Sequence, residues 1–156
     1  MKPPVSIPLD CTEIHGINDA MVASAPSFAE LADVFMEAFA EADVAVAHNI
    51  NFDRKLMEFE LLRLERSKQF LPEQIFDTMV MGKNECRLPA GLNRFGERRE
   101  GFKSPKLTEL YSHLFGEAFD GAHNALYDVL ATGRCLEELF KKGVFVPVEP
   151  VQDSLF

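Results

Sequence analysis

Two hexapeptides, HNINFD (48–53) and HNALYD (123–128), share one arrangement: a histidine, then an asparagine, then an aspartate four residues beyond the asparagine. Residues five apart on an α-helix point about 140° away from each other. A histidine that cooperates with such an aspartate must therefore sit outside the helix. Asparagine is a good N-cap, so a helix capped at Asn124 places Asp128 in its first turn and leaves His123 just before it. A loop imidazole with an ordinary pKa of about 6.5 suits proton abstraction. A carboxylate in a helix's first turn is favoured in its ionised form by the dipole, and is a natural oxygen ligand for Mg²⁺ or Mn²⁺. Each motif alone also has a plainer reading. Asp53 by itself reads more simply as a charge complementing a helix N-terminus, and HNALYD fits a surface histidine before a helix-start aspartate equally well.

The elements that position these residues follow from pattern. Pro26-Ser27 opens a helix, with Ser27 as N-cap and Glu30 completing a capping box, and Phe28, Leu31, Phe35 and Phe39 fall on one face. VAVAH (44–48) reads as a buried strand, followed from about Asn51 by a helix with Phe52, Leu56, Phe59 and Leu62 on one stripe. QIFDT (74–78) is a second short strand. Ser104-Pro105 starts a further helix, proline being tolerated in the first turn, with Leu107, Leu110, Tyr111 and Leu114 inward and Gly116 as its stop. The last begins near Asn124, carries Leu126, Leu130 and Leu136, and ends at Lys141-Lys142-Gly143. Strands alternating with helices indicate an α/β layered domain. HNINFD then lies at the carboxyl end of a strand, where open α/β sheets bind ligands.

Composition narrows the setting. The 156 residues are enough for one domain with a real core, and 47% hydrophobic content is that of a globular chain. No apolar run reaches the roughly 20 residues that span a bilayer and no signal peptide is visible. Cys11, Cys86 and Cys135 form no paired motif and read as reduced thiols of a cytoplasmic protein. A net charge of −9 argues against broad wrapping of nucleic acid. It permits a nuclease that holds a few nucleotides at a metal site.

The ordered set of IHGI (14–17), capped helix, strand-HNINFD, strand-FDT, helix and HNALYD-helix resembles the DEDDh class of 3′→5′ exonucleases, especially the proofreading ε subunits of bacterial DNA polymerase III. The resemblance runs from about Ile7 to Lys142 and implies an RNase H-like α/β fold. In that family four carboxylates hold two divalent ions, Mg²⁺ or Mn²⁺. The resemblance implies that Asp53 and Asp128 are the third and fourth carboxylates and His123 the general base. It puts His15, Gly16 and Asn49 beside the substrate, a DNA 3′ end in single-stranded form. Asp77 either orders the site from behind or is a plain strand-end residue.

The family's Asp-x-Glu, carried on a first central strand well before IHGI, has no counterpart here, because IHGI begins at residue 14. Asp10 and Glu13 are spaced D-x-x-E and would point to opposite faces of a strand, so they do not replace it. The fold is therefore expected to be truncated at the N-terminus, with the first strands of the sheet missing and the strand at 44–48 left with an unpaired apolar edge. On this reading the chain is a fragment or has a misplaced start. It is then inactive alone, the exonuclease belonging to the full-length protein. The alternative is a non-catalytic interaction module that binds a sliding clamp or polymerase.

Two further segments stand out. Residues 87–106 carry Arg87, Arg94, Arg98, Arg99, Lys103 and Lys106 against Glu97 and Glu100, a local +4, within an exposed loop read over 82–104. Such a loop could track a phosphate backbone or simply be solvated. Residues 1–143 are expected to form the partial exonuclease domain and 144–156 an extended tail. Its end, QDSLF, resembles the pentapeptide by which bacterial replication proteins dock on the sliding clamp. There Leu155 and Phe156 would enter an apolar pocket and Gln152 bond at its rim, unless the tail folds over its own core.

Overall fold

A computed structural model describes residues 1–67, 69–119 and 124–148. The chain forms two compact units, Met1–Asp43 with Asn51–Pro72, and Val44–Ile50 with Glu73–Phe156.

The first unit is helical. It holds α1 (Leu9–His15), α2 (Asp19–Val22), α3 (Phe28–Ala40) and, from Asn51 onward, α4 (Ile50–Arg63). The predicted capping box forms: the Ser27 N–H donates to Glu30 Oε2 at 2.7 Å and the Glu30 N–H to Ser27 Oγ at 3.4 Å. Phe28, Ala32, Leu61 and Phe70 make the core, bordered by Phe35, Phe39, Met57 and Leu64. The stripe expected to face inward on α4 does not. Phe52 and Phe59 are 61% and 63% exposed and Leu56 and Leu62 are also open, while Leu61 is fully buried. The helix buries Leu61, with Met57 and Leu64 beside it, against Phe28 and Phe70, which turns the longer apolar row outward. The Asp10–Glu13 segment is also not a strand. It lies in α1, where residues three apart share a face, so the strand argument against the pair fails. No group of three metal-ligating side chains forms around it or anywhere else among the described residues.

The second unit is a small α/β layer. Strands β1 (Val44–Ala47) and β2 (Gln74–Asp77) pair in parallel, Ala47 opposite Asp77. A short β3 (Pro147–Val148) joins β2 antiparallel, giving the order β1-β2-β3. Helices α5 (Thr78–Cys86), α6 (Leu107–Phe115) and α7 (Ala125–Lys141) supply the core with Phe76. That core contains Met81, Leu110, Tyr111, Ala131, Cys135 and Leu139. Full burial of a leucine such as Leu110 or Leu139 contributes about 1.5–3 kcal/mol. Burial also pushes the Cys86 thiol up to about 11 and that of Cys135 to about 12, leaving both as inert packing groups.

Several sequence expectations shift here. The strand at 44–47 is not buried throughout: Ala45 is, but Val44 and Val46 are 36% and 41% exposed, and among the described residues β1 pairs only with β2. Helix α7 buries Ala131, Thr132, Cys135 and Leu139, whereas Leu126 and Leu130 remain open. Helix α6 starts at Leu107, two residues after the expected proline, because the Lys106 N–H is capped by Glu109 Oε2 at 2.8 Å. The segment read as one loop from residue 82 begins inside α5, and Gly82 is part of that helix. A Cβ there would lie 2.7 Å from Leu110 Cδ1, so glycine allows α5 to close on α6.

Candidate functional site

The carboxyl ends of β1 and β2 are fastened by one side chain. Asp77, 1% exposed, accepts the Asn49 N–H at 3.0 Å and the Met79 N–H at 2.9 Å through Oδ1, with Val80 N–H at 3.4 Å. Its Oδ2 accepts the Ile50 N–H at 3.1 Å. Ile50 is the first residue of α4, and Met79 and Val80 lie in the first turn of α5. One carboxylate thus satisfies orphan donors of two helices. Asn49 makes the turn possible with φ at +77°, a left-handed conformation that asparagine tolerates better than most residues.

His48, at the end of β1, is held by both ring nitrogens. Nε2 lies 3.1 Å from the Pro105 carbonyl and Nδ1 3.0 Å from Thr78 Oγ1. A carbonyl only accepts, so Nε2 carries a proton, and beside a neutral ring the one proton of the Thr78 hydroxyl is shared between Nδ1 and the Ala47 carbonyl. That hydroxyl also lies 3.2 Å from the Ala47 carbonyl. Burial holds His48 below the usual imidazole range, against the pull of the Pro105 carbonyl and the Asp77 charge. Sequence reasoning missed this clasp. The repeated His-Asn pair drew attention to His48, but its partners Thr78 and Pro105 lie 30 and 57 residues away.

The second motif starts its helix locally. Asn124 is the N-cap of α7, its side chain accepting the Leu126 N–H at 3.1 Å, and the Asp128 N–H donates to the Asn124 carbonyl at 2.9 Å. Asp128 stands half-buried in the first turn, as expected. Asp53 occupies the equivalent turn of α4 and is exposed. His15 ends α1, its Nδ1 accepting the Ile17 N–H at 3.0 Å, and Gly16 closes that helix at φ +75°. His123 and the tail residues Gln152, Leu155 and Phe156 lie outside the described residues.

Whether a divalent ion suits this chain turns on donor chemistry. Asp53 and Asp128 offer the hard oxygen ligands that Mg²⁺ and Mn²⁺ take. Asp77 does not, because its lone pairs are taken by backbone donors.

Residues 1–136 match the Exonuclease family, RNase_T, and the chain belongs to that family of nucleases. Its members generally work with divalent metal ions. The chain is 34% identical over 139 residues to a DNA polymerase III subunit epsilon-like protein of Rhodobacter capsulatus, covering 89% of this chain and 18% of that one. To the DNA polymerase III subunit epsilon of Treponema pallidum it is 36% identical over 102 residues, covering 60% and 46% respectively. An uncharacterized exonuclease of Escherichia phage 186 is 29% identical over 146 residues, covering 92% and 72%. The chain thus spans less than half the length of the two polymerase III relatives. The small parallel sheet flanked by helices agrees with an RNase H-like exonuclease domain. No described helix is long and apolar enough to cross a membrane.

Proposed function

We propose that this chain carries half of the active site of a metal-dependent 3′→5′ exonuclease acting on single-stranded DNA ends in replication or repair. The observation that carries the reading is the pair of carboxylates, Asp53 and Asp128, each in the first turn of a helix that follows a His-Asn pair. In this reading Asp53 and Asp128 hold the ions, and His123 takes the proton of the attacking water. The ions would supply a polarised nucleophile and stabilise the leaving 3′ oxygen. Asp77 and the His48 clasp fasten the strand–helix turn that precedes Asp53 in the chain, and His15, Gly16 and Asn49 meet the terminal nucleotide. Both nitrogens of His48 are already engaged, which favours His123 as the base. The names of the relatives support a polymerase partner, and QDSLF supports a sliding clamp.

The 156 residues alone are expected to release nothing from 3′-labelled single-stranded DNA with Mn²⁺, because two carboxylates are half of the four that two ions need. In a longer form of the protein that supplies the other two carboxylates, mononucleotide release is expected, and Asp128→Ala and His123→Ala should each lower it about 10³-fold. Release by the 156 residues alone would refute the half-site. Full activity in either variant would refute its assigned role.

A further inference from the structure

The basic stretch after α5 is a built arm. The Lys103 N–H donates to the Leu88 carbonyl at 2.9 Å, Arg99 N–H to Gly91 at 3.0 Å and Asn93 N–H to Glu97 at 2.8 Å. Pro89 bridges Phe102 and Leu92 bridges Arg98, both antiparallel. These contacts make a hairpin over 88–103. At its tip the Gly96 N–H closes a turn onto the Asn93 carbonyl at 3.0 Å, and Gly96 takes φ +81°, a conformation glycine allows. The Asn93 side chain fixes that tip. It accepts the Phe95 and Glu97 N–H groups at 2.8 and 3.0 Å and donates to the Glu97 carboxylate at 2.8 Å.

What the arm presents is a preorganised aromatic among cations. Phe95 is 73% exposed, with the Arg94 guanidinium 4.7 Å from its ring centroid. Arg94, Arg98 and Arg99 are exposed and form no ion pair with a described residue. The arm carries Arg94, Arg98, Arg99 and Lys103 against Glu97 and Glu100, a net +2 on a chain of −9, so it stands out as a cationic landing point. Its root passes through Pro105, whose carbonyl receives the His48 ring N–H. The root of the arm therefore lies beside His48.

We infer that the hairpin 88–103 is a single-stranded nucleic-acid clamp, with Phe95 stacking on an unpaired base and Arg94, Arg98 and Arg99 meeting the flanking phosphates. An aromatic that offers its face selects unpaired bases over duplex, and adjacent arginines both stack and neutralise. The inference rests on the exonuclease reading for the kind of strand that arrives, and its test does not depend on hydrolysis.

The chain has no tryptophan, so Phe95→Trp in the 156-residue protein is a sole reporter. Labelled oligothymidylate is titrated in EDTA and followed by anisotropy, with unlabelled strand followed by tryptophan emission. Binding with quenched emission is expected, Phe95→Ala raising Kd about tenfold and the tryptophan variant staying near the parent. Arg98→Ala with Arg99→Ala should flatten the dependence of log K on log salt by about 1.4, two phosphate contacts' worth. Absent binding, unquenched emission at saturation, or an unchanged Kd in Phe95→Ala overturns the inference. So does polyglutamate that competes as well as the oligonucleotide, which would mark a surface for acidic proteins. Because no metal is present, arm binding and the loss of hydrolysis in Asp128→Ala succeed or fail separately.

Discussion

Around Asn49 the backbone turns through φ +77° and gives its N–H to a carboxylate 28 residues away, whereas Asn124 stays extended at φ −101° and caps its own helix. The same His-Asn-x-x-x-Asp lettering thus opens two helices by different physics. In the first motif the asparagine side chain bonds to no described residue, and Asp77 does the capping from the neighbouring strand. In the second the side chain is the cap. The lesson is that a motif fixes spacing, while the neighbouring strand decides which atoms do the work. A turn clasped from outside is held by two hydrogen bonds to a carboxylate on another strand. A turn capped from within depends on one local hydrogen bond.

Removing the clasp should have the largest effect. Asp77→Ala strips a buried acceptor from four backbone N–H groups and is expected to cost about 3 kcal/mol, read as a drop in the urea midpoint at constant slope. A loss below about 1 kcal/mol would mean that water replaces the carboxylate and the two motifs are equivalent. Next comes the left-handed turn. Asn49→Ala should cost about 1–2 kcal/mol and Asn49→Gly nearly nothing, because the strain lies in the Cβ. Serine separates the two sites: at Asn124 it restores the cap and should cost nearly nothing where alanine costs about 1 kcal/mol, whereas at Asn49 serine should cost about as much as alanine. Parallel responses at the two asparagines would break the comparison.

Much of this was legible in the sequence wherever local chemistry decides. Ser27 and Glu30 announce the start of α3, Gly116 the end of α6 and Asn124 the start of α7, because caps and left-handed stops act within a few residues. Helix α5 was hidden because its cap is Asp77, read as a strand residue, and its glycine serves a contact with Leu110 that lies 28 residues on. The inward faces of α4 and α7 were misassigned because periodicity finds an apolar row without saying what meets it. The small residues Ala131, Thr132 and Cys135 are buried while Leu126 and Leu130 stay open. The candidate carboxylates were visible as letters at fixed spacing. The His48 clasp was not, since Thr78 and Pro105 reach it only through the tertiary fold.

The smallest effect expected is a proton linkage at that clasp. His48 is held below the usual imidazole range by burial, with the Pro105 carbonyl and the Asp77 charge opposing. In the unfolded chain its pKa returns to about 6.5. Between those values the unfolded state binds more protons than the folded one, so stability rises with pH across that window. The contribution of neutral His48 is complete above about pH 6.5 and is lost as the pH falls towards the lower folded value. Urea midpoints at about pH 7.5 and about pH 5.5 should therefore differ more for the parent chain than for His48→Asn, which lacks the titrating group. Subtracting the two profiles cancels the other histidines, which both proteins share. Superimposable profiles would show that His48 keeps an ordinary affinity for protons in the fold. The preference for His123 as the base would then lose its support from the clasp.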